Sequence, residues 1–332
     1  MTLHDMSQSE LAEELGEATT KKPEETTGLQ IVNLDHFLTL QLPVREHILS
    51  PWLNTQGIAL IYAPRGVGKT HVALGIAYAV ASGGEFLRWQ APKPRGVLYL
   101  DGEMPANMLQ ERLAAIVAAS PKKIAAPFHI LTPDLQPTMS MPDLSTIAGR
   151  MAIDPHLENI ELIVVDNIAT LCRSGRENET ESWRPVQDWA LRMRASNRAV
   201  LFIHHAGKKG TQRGASAHED TIDTILSLSR PSDYSATDGA VFEIHFEKAR
   251  SLLGDAVKPF TAKLTKNKEG KQQWVTDEIK ENAYIQIAGL LKNGYKQHEI
   301  AEQLNLHKSK VSRYTQKAKS EGLLVNGHDV IS

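Results

Sequence analysis

Short apolar segments alternate with amphipathic segments from residue 31 to about residue 280. The apolar runs in GIALIYA (57–63) and ELIVVDN (161–167) are nearly continuous, which is typical of strands buried on both faces. The segment KTHVALGIAYAVAS (69–82) ends before two glycines and predicts a helix. Further strands are predicted at 96–103, 199–205 and 221–230, and further helices at 106–120 and 181–197. This alternation predicts an α/β domain over residues 31–280, with a mostly parallel sheet sandwiched by helices.

The pattern changes near the end of this domain. The segments at 240–250, 259–267 and 272–279 alternate apolar and polar residues instead of being apolar throughout. Such alternation favours strands with one exposed face, and the turn sequence NKEGK joins the last two. We therefore expect antiparallel strands at one edge of the sheet.

Both ends of the chain differ from this domain in composition. Residues 1–30 are acidic, rich in threonine and poor in large apolar groups, which favours a flexible tail. Residues 281–332 show a purely helical pattern, so we expect a separate small domain there. Cys172 is the only cysteine, and no apolar stretch reaches the roughly 20 residues that span a bilayer. These features predict a cytoplasmic protein.

A phosphate-binding motif follows the first buried strand. The sequence APRGVGKTH (63–71) fits the P-loop pattern G-x-x-x-x-G-K-[ST], except that Ala63 replaces the first glycine. Two glycines let successive backbone N–H groups point into one concavity, and the N-terminus of the next helix adds positive potential. We expect ATP to bind here, with Lys69 contacting its β- and γ-phosphates. The predicted nucleotide-binding residues are Pro64, Arg65, Gly66, Val67, Gly68, Lys69, Thr70 and His71.

A metal site is predicted beside this motif. The Thr70 hydroxyl is of the type that ligates Mg²⁺ in P-loops, and Asp166 ends the buried strand LIVVD. Because the carboxyl ends of parallel strands meet at one edge of a sheet, Asp166 is expected close to the P-loop. The sequence therefore predicts that Thr70 and Asp166 hold Mg²⁺.

Hydrolysis also requires a residue that orients or deprotonates the attacking water. In one large group of P-loop ATPases this residue is a glutamate directly after the metal aspartate, but here that position is Asn167, which cannot accept a proton. Glu103, at the end of the strand after the P-loop helix, is the acid best placed for the task. The alternative is that Asp101 and Glu103 only begin the next helix, where acids favour the helix dipole. For Asp101 the sequence favours neither a structural role nor a contact to water or Mg²⁺.

The order of these motifs resembles the RecA fold. The sequences LYLDGEMP (98–105) and LFIHHAGKKGTQRGASA (201–217) resemble the RepA-like hexameric helicases and, more distantly, the DnaB-type replicative helicases. The resemblance covers about residues 40–265. It implies a RecA-like ATPase domain that assembles into a homohexameric ring and acts on single-stranded DNA, in the replication of a plasmid or mobile element.

The resemblance also implies roles for residues near the end of the strand at 199–205. His205 matches the polar residue that senses the γ-phosphate, with His204 beside it; the alternative is that the pair simply ends a strand. The segment 206–217 matches the mobile loop that contacts DNA in the central channel, or else it is a solvated basic loop. Its basic residues are Lys208, Lys209 and Arg213.

A further implication concerns the sequence FEKARSLLGD (246–255). Lys248 and Arg250 match the K-x-R element through which a neighbouring subunit supplies a finger to the nucleotide. Arg250 is otherwise an ordinary surface ion-pair residue. The complete set of residues with a predicted catalytic role is Lys69, Glu103, Asp166, His205, Lys248 and Arg250.

The C-terminal sequence KNGYKQHEIAEQLNLHKSKVSRYTQKAKSEGLL (292–324) predicts a helix-turn-helix. Apolar residues of the first helix and Val311 and Tyr314 of the second would form its core. The second helix presents the side chains that base edges and phosphates require, namely Lys308, Ser309, Lys310, Ser312 and Arg313. A helical module for protein contacts is the alternative.

These features predict an ATP-hydrolysing motor that binds single-stranded DNA in its channel loops and duplex DNA through its C-terminal domain. The alternative is a regulatory ATPase that oligomerises on duplex DNA without unwinding it. A recombinase-like filament protein is a weaker third hypothesis, because nothing in the sequence resembles a filament-linking N-terminal strand.

Overall fold

The computed structural model of the protein describes residues 29–137, 140–173, 180–206, 220–231, 234–250, 252–279, 283–304 and 306–320. The contacts divide the chain into two compact units, the first ending at Glu46 and the second beginning at His47. In the first unit, helix α1 (Leu34–Thr39) begins after Asn33, whose side chain accepts a hydrogen bond of 2.8 Å from the backbone N–H of His36. None of the residues of α1 is buried.

The second unit contains the strands and the remaining helices. Its strands are β1 (His47–Leu49), β2 (Leu53–Asn54), β3 (Ile58–Ala63), β4 (Glu85–Phe86), β5 (Trp89–Gln90), β6 (Val97–Asp101), β7 (Phe128–Leu131), β8 (Leu162–Asp166), β9 (Ala199–His205), β10 (Thr224–Ser229), β11 (Val241–Ala249), β12 (Phe260–Lys266) and β13 (Gln272–Glu278). Its helices are α2 (Lys69–Ser82), α3 (Ala106–Ala119), α4 (Ile147–Ile153), α5 (Ile168–Leu171), α6 (Thr180–Ala195), α7 (Ala283–Lys292), α8 (Gln297–Gln303) and α9 (Lys308–Ser320).

One large sheet organises this unit, with the strand order β13-β12-β11-β10-β3-β9-β8-β6-β7. The pairs from β10 to β7 are parallel, whereas β10–β11, β11–β12 and β12–β13 are antiparallel. This arrangement confirms the predicted α/β class with a mostly parallel sheet and antiparallel strands at one edge. It also brings the carboxyl ends of β3, β6, β8 and β9 to the same edge.

Helices cover both faces of the parallel part of the sheet. One apolar cluster joins the sheet to α2 and to Leu109 of α3, and a second joins the opposite face to α4 and α6. Strands covered on both faces must be apolar throughout, and all five residues of β6 and of β8 are buried. Helix α2 is also apolar on most of its surface, because it is almost completely buried.

The structure contains strands that the sequence pattern did not predict. Strand β7 has only four residues, FHIL, and forms the outer parallel strand beside β6. The pairs β1–β2 and β4–β5 form two small separate sheets of two strands each. In the described part of the chain, no helix is long and apolar enough to cross a membrane.

The C-terminal helices α7, α8 and α9 form a cluster of their own. Ile287, Ile300, Val311 and Tyr314 are buried in it, and Leu304 and Leu306 pack against it. This confirms the predicted apolar residues of the last two helices. Residues 321–332 lie outside the described residues, as does the N-terminal segment 1–28.

Candidate functional site

The loop between β3 and α2 has the backbone conformation of a phosphate-binding loop. Gly66 and Gly68 have positive φ angles of 77° and 127°, which residues with a side chain rarely adopt. A Cβ atom on Gly68 would also come within 3.2 Å of the Phe242 ring. Helix α2 begins at Lys69 without a hydrogen bond from a capping side chain, so backbone N–H groups at its N-terminus remain available for an anion.

Lys69 folds back over this loop. Its Nζ donates hydrogen bonds to the carbonyl oxygens of Ala63 at 2.9 Å and Pro64 at 3.1 Å. Burial lowers the pKa of Lys69 to about 8, although the charges of Asp166 and Glu103 oppose this shift. The Lys69 ammonium group donates to carbonyl oxygens and has lost much of its hydration, so a polyphosphate nearby would stabilise its charged form.

We predict that nucleotide binding is accompanied by proton uptake at alkaline pH. Free Lys69 loses its proton as the pH rises through about 8, whereas a bound polyphosphate would raise its pKa again. Calorimetric titrations at about pH 9, in two buffers with different ionisation enthalpies, should show uptake of nearly one proton per nucleotide. At about pH 7 Lys69 is already protonated, so its contribution should vanish. Equal proton exchange at both pH values would contradict this prediction.

Asp166 lies at the carboxyl end of β8 and is buried. Its Oδ2 accepts a hydrogen bond of 2.7 Å from the hydroxyl of Tyr99, and it is also hydrogen-bonded to the Thr70 side chain. Burial raises the pKa of Asp166, and these two hydrogen bonds oppose the rise. A carboxylate and a hydroxyl in contact beside a phosphate loop are oxygen groups that would suit Mg²⁺, which also binds water and phosphates.

The described residues contain no group of three His, Cys, Asp or Glu side chains that could hold a metal alone. At Thr70 and Asp166, Mg²⁺ would be held together with phosphate oxygens of a nucleotide. When bound, it would neutralise charge on the phosphate oxygens.

Three polar side chains from neighbouring strand ends meet next to Asp166. The Nδ2 of Asn167 donates a hydrogen bond of 2.6 Å to Oε2 of Glu103. The Nε2 of His205 lies 3.3 Å from the same oxygen and 3.2 Å from Asn167 Nδ2. The side chain of Glu103 is 59% exposed, so it remains accessible to water. The Glu103 carboxylate is thus held by two neighbouring side chains and is still open to solvent.

Both polar atoms of the Asn167 side-chain amide make hydrogen bonds. Its Oδ1 accepts a hydrogen bond of 3.2 Å from the backbone N–H of Thr170 and thereby caps α5. The Nδ2 must then point the other way, towards Glu103. Asn167 follows Asp166 through a cis peptide bond. Asn167 therefore orients the Glu103 carboxylate that follows the neighbouring strand.

Asp101 shapes the turn that carries Glu103. It is buried, and its Oδ2 accepts hydrogen bonds from the Met104 N–H at 3.2 Å and the Thr132 hydroxyl at 3.3 Å. Burial raises the pKa of Asp101 to about 6. The next residue, Gly102, leaves no room for a side chain, because a Cβ there would lie 2.2 Å from Thr170 Oγ1. These contacts favour the structural role for Asp101.

Glu103 lies in this turn and not in the first turn of α3, which begins at Ala106. At the start of that helix, the Ala106 N–H donates a hydrogen bond of 2.8 Å to Oδ2 of Asp134 and not to Glu103. The alternative that Glu103 serves the helix N-terminus is therefore not favoured.

A cavity of about 590 Å³ joins these groups. It is lined by residues of the phosphate loop, by Asp101, Glu103, Asp166, Asn167 and His205, and on other sides by Met104, Met108, Arg112, Arg230, Tyr234, Gly239 and Ala240. The phosphate-binding loop and both predicted strand-end acids therefore open into one space.

A family model described as an AAA domain, AAA_25, matches residues 22–211, which is more than half of the chain.

The chain belongs to this AAA domain family. The cavity is thus part of an AAA-type P-loop ATPase domain. Among solved structures, a KaiC-like protein from the hyperthermophilic archaeon Pyrococcus horikoshii OT3 is similar, with 12% sequence identity and a TM-score of 0.48. That comparison covers 69% of this chain and 93% of the other.

Lys248 and Arg250 lie far from the phosphate loop of their own chain. Strand β11 runs antiparallel to β10, with Ala249 opposite Thr224, so it ends at the edge where β3 begins. The phosphate loop follows the other end of β3, about 17 Å away for a strand of this length. Arg250 donates a hydrogen bond of 2.8 Å to the Asp220 carbonyl, and its Nη1 lies 3.8 Å from Asp223 Oδ1.

The predicted DNA contacts are divided between two regions. Lys208, Lys209 and Arg213 lie outside the residues that the structure describes. In α9 the side chains of Lys308, Ser309 and Arg313 are exposed, and those of Lys310 and Ser312 are half-buried.

The sequence did not predict four residues of the site: Tyr99, whose hydroxyl donates to Asp166, and Asn167, Arg230 and Tyr234, which line the cavity. Tyr99 was detectable in principle, because a tyrosine within an otherwise aliphatic buried strand needs a partner for its hydroxyl. Asn167 was considered only as a missing base. Arg230 and Tyr234 belong to no motif, and only the structure brings them to the phosphate loop.

Proposed function

We propose that this protein is an ATP-hydrolysing DNA motor, a RepA-like hexameric helicase that acts on single-stranded DNA in the replication of a plasmid or mobile element. The observation that carries the proposal is the position of Glu103. It is held by Asn167 and His205 at the same sheet edge as Lys69, Thr70 and Asp166. A general base in this position serves hydrolysis, whereas simple nucleotide binding does not need one.

The side chains of the cavity divide the work of hydrolysis. Lys69 and the backbone of the phosphate loop bind the negative charge of the phosphates. Glu103 accepts the proton of the attacking water through its exposed carboxylate. His205 touches both Glu103 and Asn167, so a change in its position would alter the orientation of the base. This contact supports the sensor role that the family resemblance implies.

The C-terminal helices support binding of DNA. The buried cluster of α7, α8 and α9 leaves a basic surface on α9 exposed, including Lys308, Ser309 and Arg313. Lysine and arginine side chains of this kind neutralise phosphates, and a helix presented on a small helical domain fits the major groove. We propose that α8 and α9 form the helix-turn-helix that localises the motor on duplex DNA.

The location of Arg250 requires a head-to-tail assembly if this residue is a finger. The guanidinium lies at the opposite edge of the sheet from its own phosphate loop, so it cannot reach its own nucleotide. It would reach the cavity of a neighbouring copy in a head-to-tail assembly, which closes as a ring when the rotation allows. Lys248, two residues earlier on the same strand end, would accompany it.

Mixing two inactive variants should restore activity if Arg250 acts in trans. In equimolar mixtures of Arg250→Ala and Glu103→Gln subunits, about one quarter of the interfaces combine an intact Glu103 with an intact Arg250. Turnover should therefore recover to about one quarter of the wild-type value if the interfaces act independently. The measurement is steady-state ATP hydrolysis after the subunits have been mixed and exchanged.

The matched control is Glu103→Gln mixed with the double variant Glu103→Gln, Arg250→Ala. That mixture has no interface with an intact base and should stay inactive. Absence of recovery in the first mixture, although the variants co-assemble, would contradict a finger in trans.

The experiment that tests the motor function is unwinding of a forked DNA duplex with ATP. Single-stranded DNA should stimulate ATP hydrolysis, and strand separation should require hydrolysis. Electron microscopy with an ATP analogue and DNA should show closed rings.

A second candidate is a regulatory ATPase that assembles on duplex DNA and does not unwind it. The exposed basic surface of α9 favours it, because that surface suits a duplex and not a single strand. This candidate would be supported, and the helicase excluded, if duplex DNA stimulates ATP hydrolysis more than single-stranded DNA does and no strand separation occurs.

A further inference from the structure

Arg230 connects three segments around the nucleotide cavity. Its Nη2 donates a hydrogen bond of 2.7 Å to the carbonyl oxygen of Gly66 in the phosphate loop. Its Nη1 donates to the carbonyl oxygens of Val241 at 2.7 Å and Gly239 at 3.1 Å. The guanidinium also stacks over the Tyr234 ring, with 3.9 Å to the ring centroid. The phosphate loop is thereby attached to the turn before β11.

The hydrogen bond to Gly66 fixes the orientation of one peptide plane in the phosphate loop. In a trans peptide the C=O of Gly66 and the N–H of Val67 point in opposite directions. While Arg230 holds the carbonyl, the Val67 N–H stays directed away from the guanidinium. Gly66 is exposed, with a φ of 77°, and a Cβ added to it would meet no atom within 4 Å. Gly66 therefore contributes no side-chain packing to this peptide, whose other residue, Val67, is buried in the apolar core.

The guanidinium suits this task better than a simple positive charge. Its planar fork donates to several carbonyls at once, and stacking on Tyr234 fixes the plane of the fork. A lysine would keep the charge but could not maintain this set of contacts with the same orientation.

We propose that Arg230 is a positioning residue that presets the phosphate loop for a polyphosphate by holding the Gly66 carbonyl. The inference rests on the proposed function of the cavity as a nucleoside triphosphate site. Arg230 raises the affinity for the phosphates because it orients the backbone of the loop, and it does not act on the nucleoside.

The test compares Arg230→Lys and Arg230→Gln with the wild-type protein. Calorimetry measures binding of Mg²⁺–ATP and of Mg²⁺–tripolyphosphate, which lacks the nucleoside, and steady-state hydrolysis gives KM and kcat. We expect both variants to bind both ligands about tenfold more weakly, as is typical when a hydrogen bond to a charged group is lost. The KM for ATP should rise more than kcat falls. Thermal unfolding of each variant verifies that it is folded.

The matched control is Arg88→Gln. Arg88 also stacks on an aromatic ring, with 4.6 Å to the centroid of Phe260, and its Nε lies 3.4 Å from Thr276 Oγ1. It does not line the cavity, so both affinities should remain those of the wild type.

Three results would overturn the inference. Wild-type affinity in Arg230→Lys would show that charge alone is sufficient. A loss of affinity for ATP but not for tripolyphosphate would assign Arg230 to the nucleoside. Unchanged affinity for both ligands in Arg230→Gln would remove the positioning role while the nucleotide site itself stands. A wild-type protein that binds neither ligand would instead refute the proposed function.

Discussion

Replacing Glu103 with glutamine is expected to reduce ATP turnover by about 10²- to 10⁴-fold, the usual contribution of a general base. The glutamine keeps the shape of the side chain and can still accept the hydrogen bond from Asn167, which is 2.6 Å long in the native protein. It cannot accept the proton of the attacking water. ATP binding should therefore change little, because Glu103 is 59% exposed and is not part of the phosphate loop.

Single-turnover hydrolysis and equilibrium binding of ATP separate these two effects. The matched control is Glu111→Gln, which changes an exposed glutamate on α3 and should leave both quantities unchanged. Substantial turnover by Glu103→Gln would mean that another group activates the water. A large loss of ATP affinity would instead indicate that Glu103 contributes to binding.

Replacing Lys69 with alanine is expected to abolish nucleotide binding, and turnover with it. The buried ammonium is held beside the phosphate loop by the carbonyls of Ala63 and Pro64. Its removal takes away the buried positive charge next to the loop, where the backbone N–H groups and the helix N-terminus cannot replace a full charge. Because hydrogen bonds between charged groups are about twice as strong as neutral ones, this single change should exceed every other binding effect in the cavity.

Binding of a fluorescent ATP analogue measures the effect directly. Lys123→Ala, which removes an exposed lysine outside the cavity, is the matched control. Turnover by Lys69→Ala at the wild-type rate would place the nucleotide elsewhere in the chain.

The large elements of the fold follow from local patterns in the sequence. The strands β3, β6, β8 and β9 could be predicted because they are covered on both faces and must be apolar throughout. The end of α2 was marked by Gly83, whose φ of 64° closes the helix in the left-handed conformation. Strand β7 escaped prediction because its four residues carry no distinctive pattern, and only its pairing with β6 defines it.

The residues of the site that belong to a sequence motif or to the end of a predicted strand could be predicted. Lys69, Thr70 and Asp166 belong to a motif or to a strand end beside it. The contact between Asn167 and Glu103 depends on the register of β6 against β8, in which Asp101 lies opposite Asp166. The contact between Arg230 and Gly66 joins residues 164 positions apart in the chain. Such contacts are set by tertiary structure, which periodicity does not describe.

The short distance between Asn167 and Glu103 also limits which residues can occupy position 167. P-loop ATPases that place their base directly after the metal aspartate would have a carboxylate there. In this architecture such a carboxylate would lie within hydrogen-bonding distance of the one on the neighbouring strand, and repulsion would keep one of them protonated. Two ionised carboxylates at these two positions are therefore disfavoured, so only one of the positions can provide an ionised base.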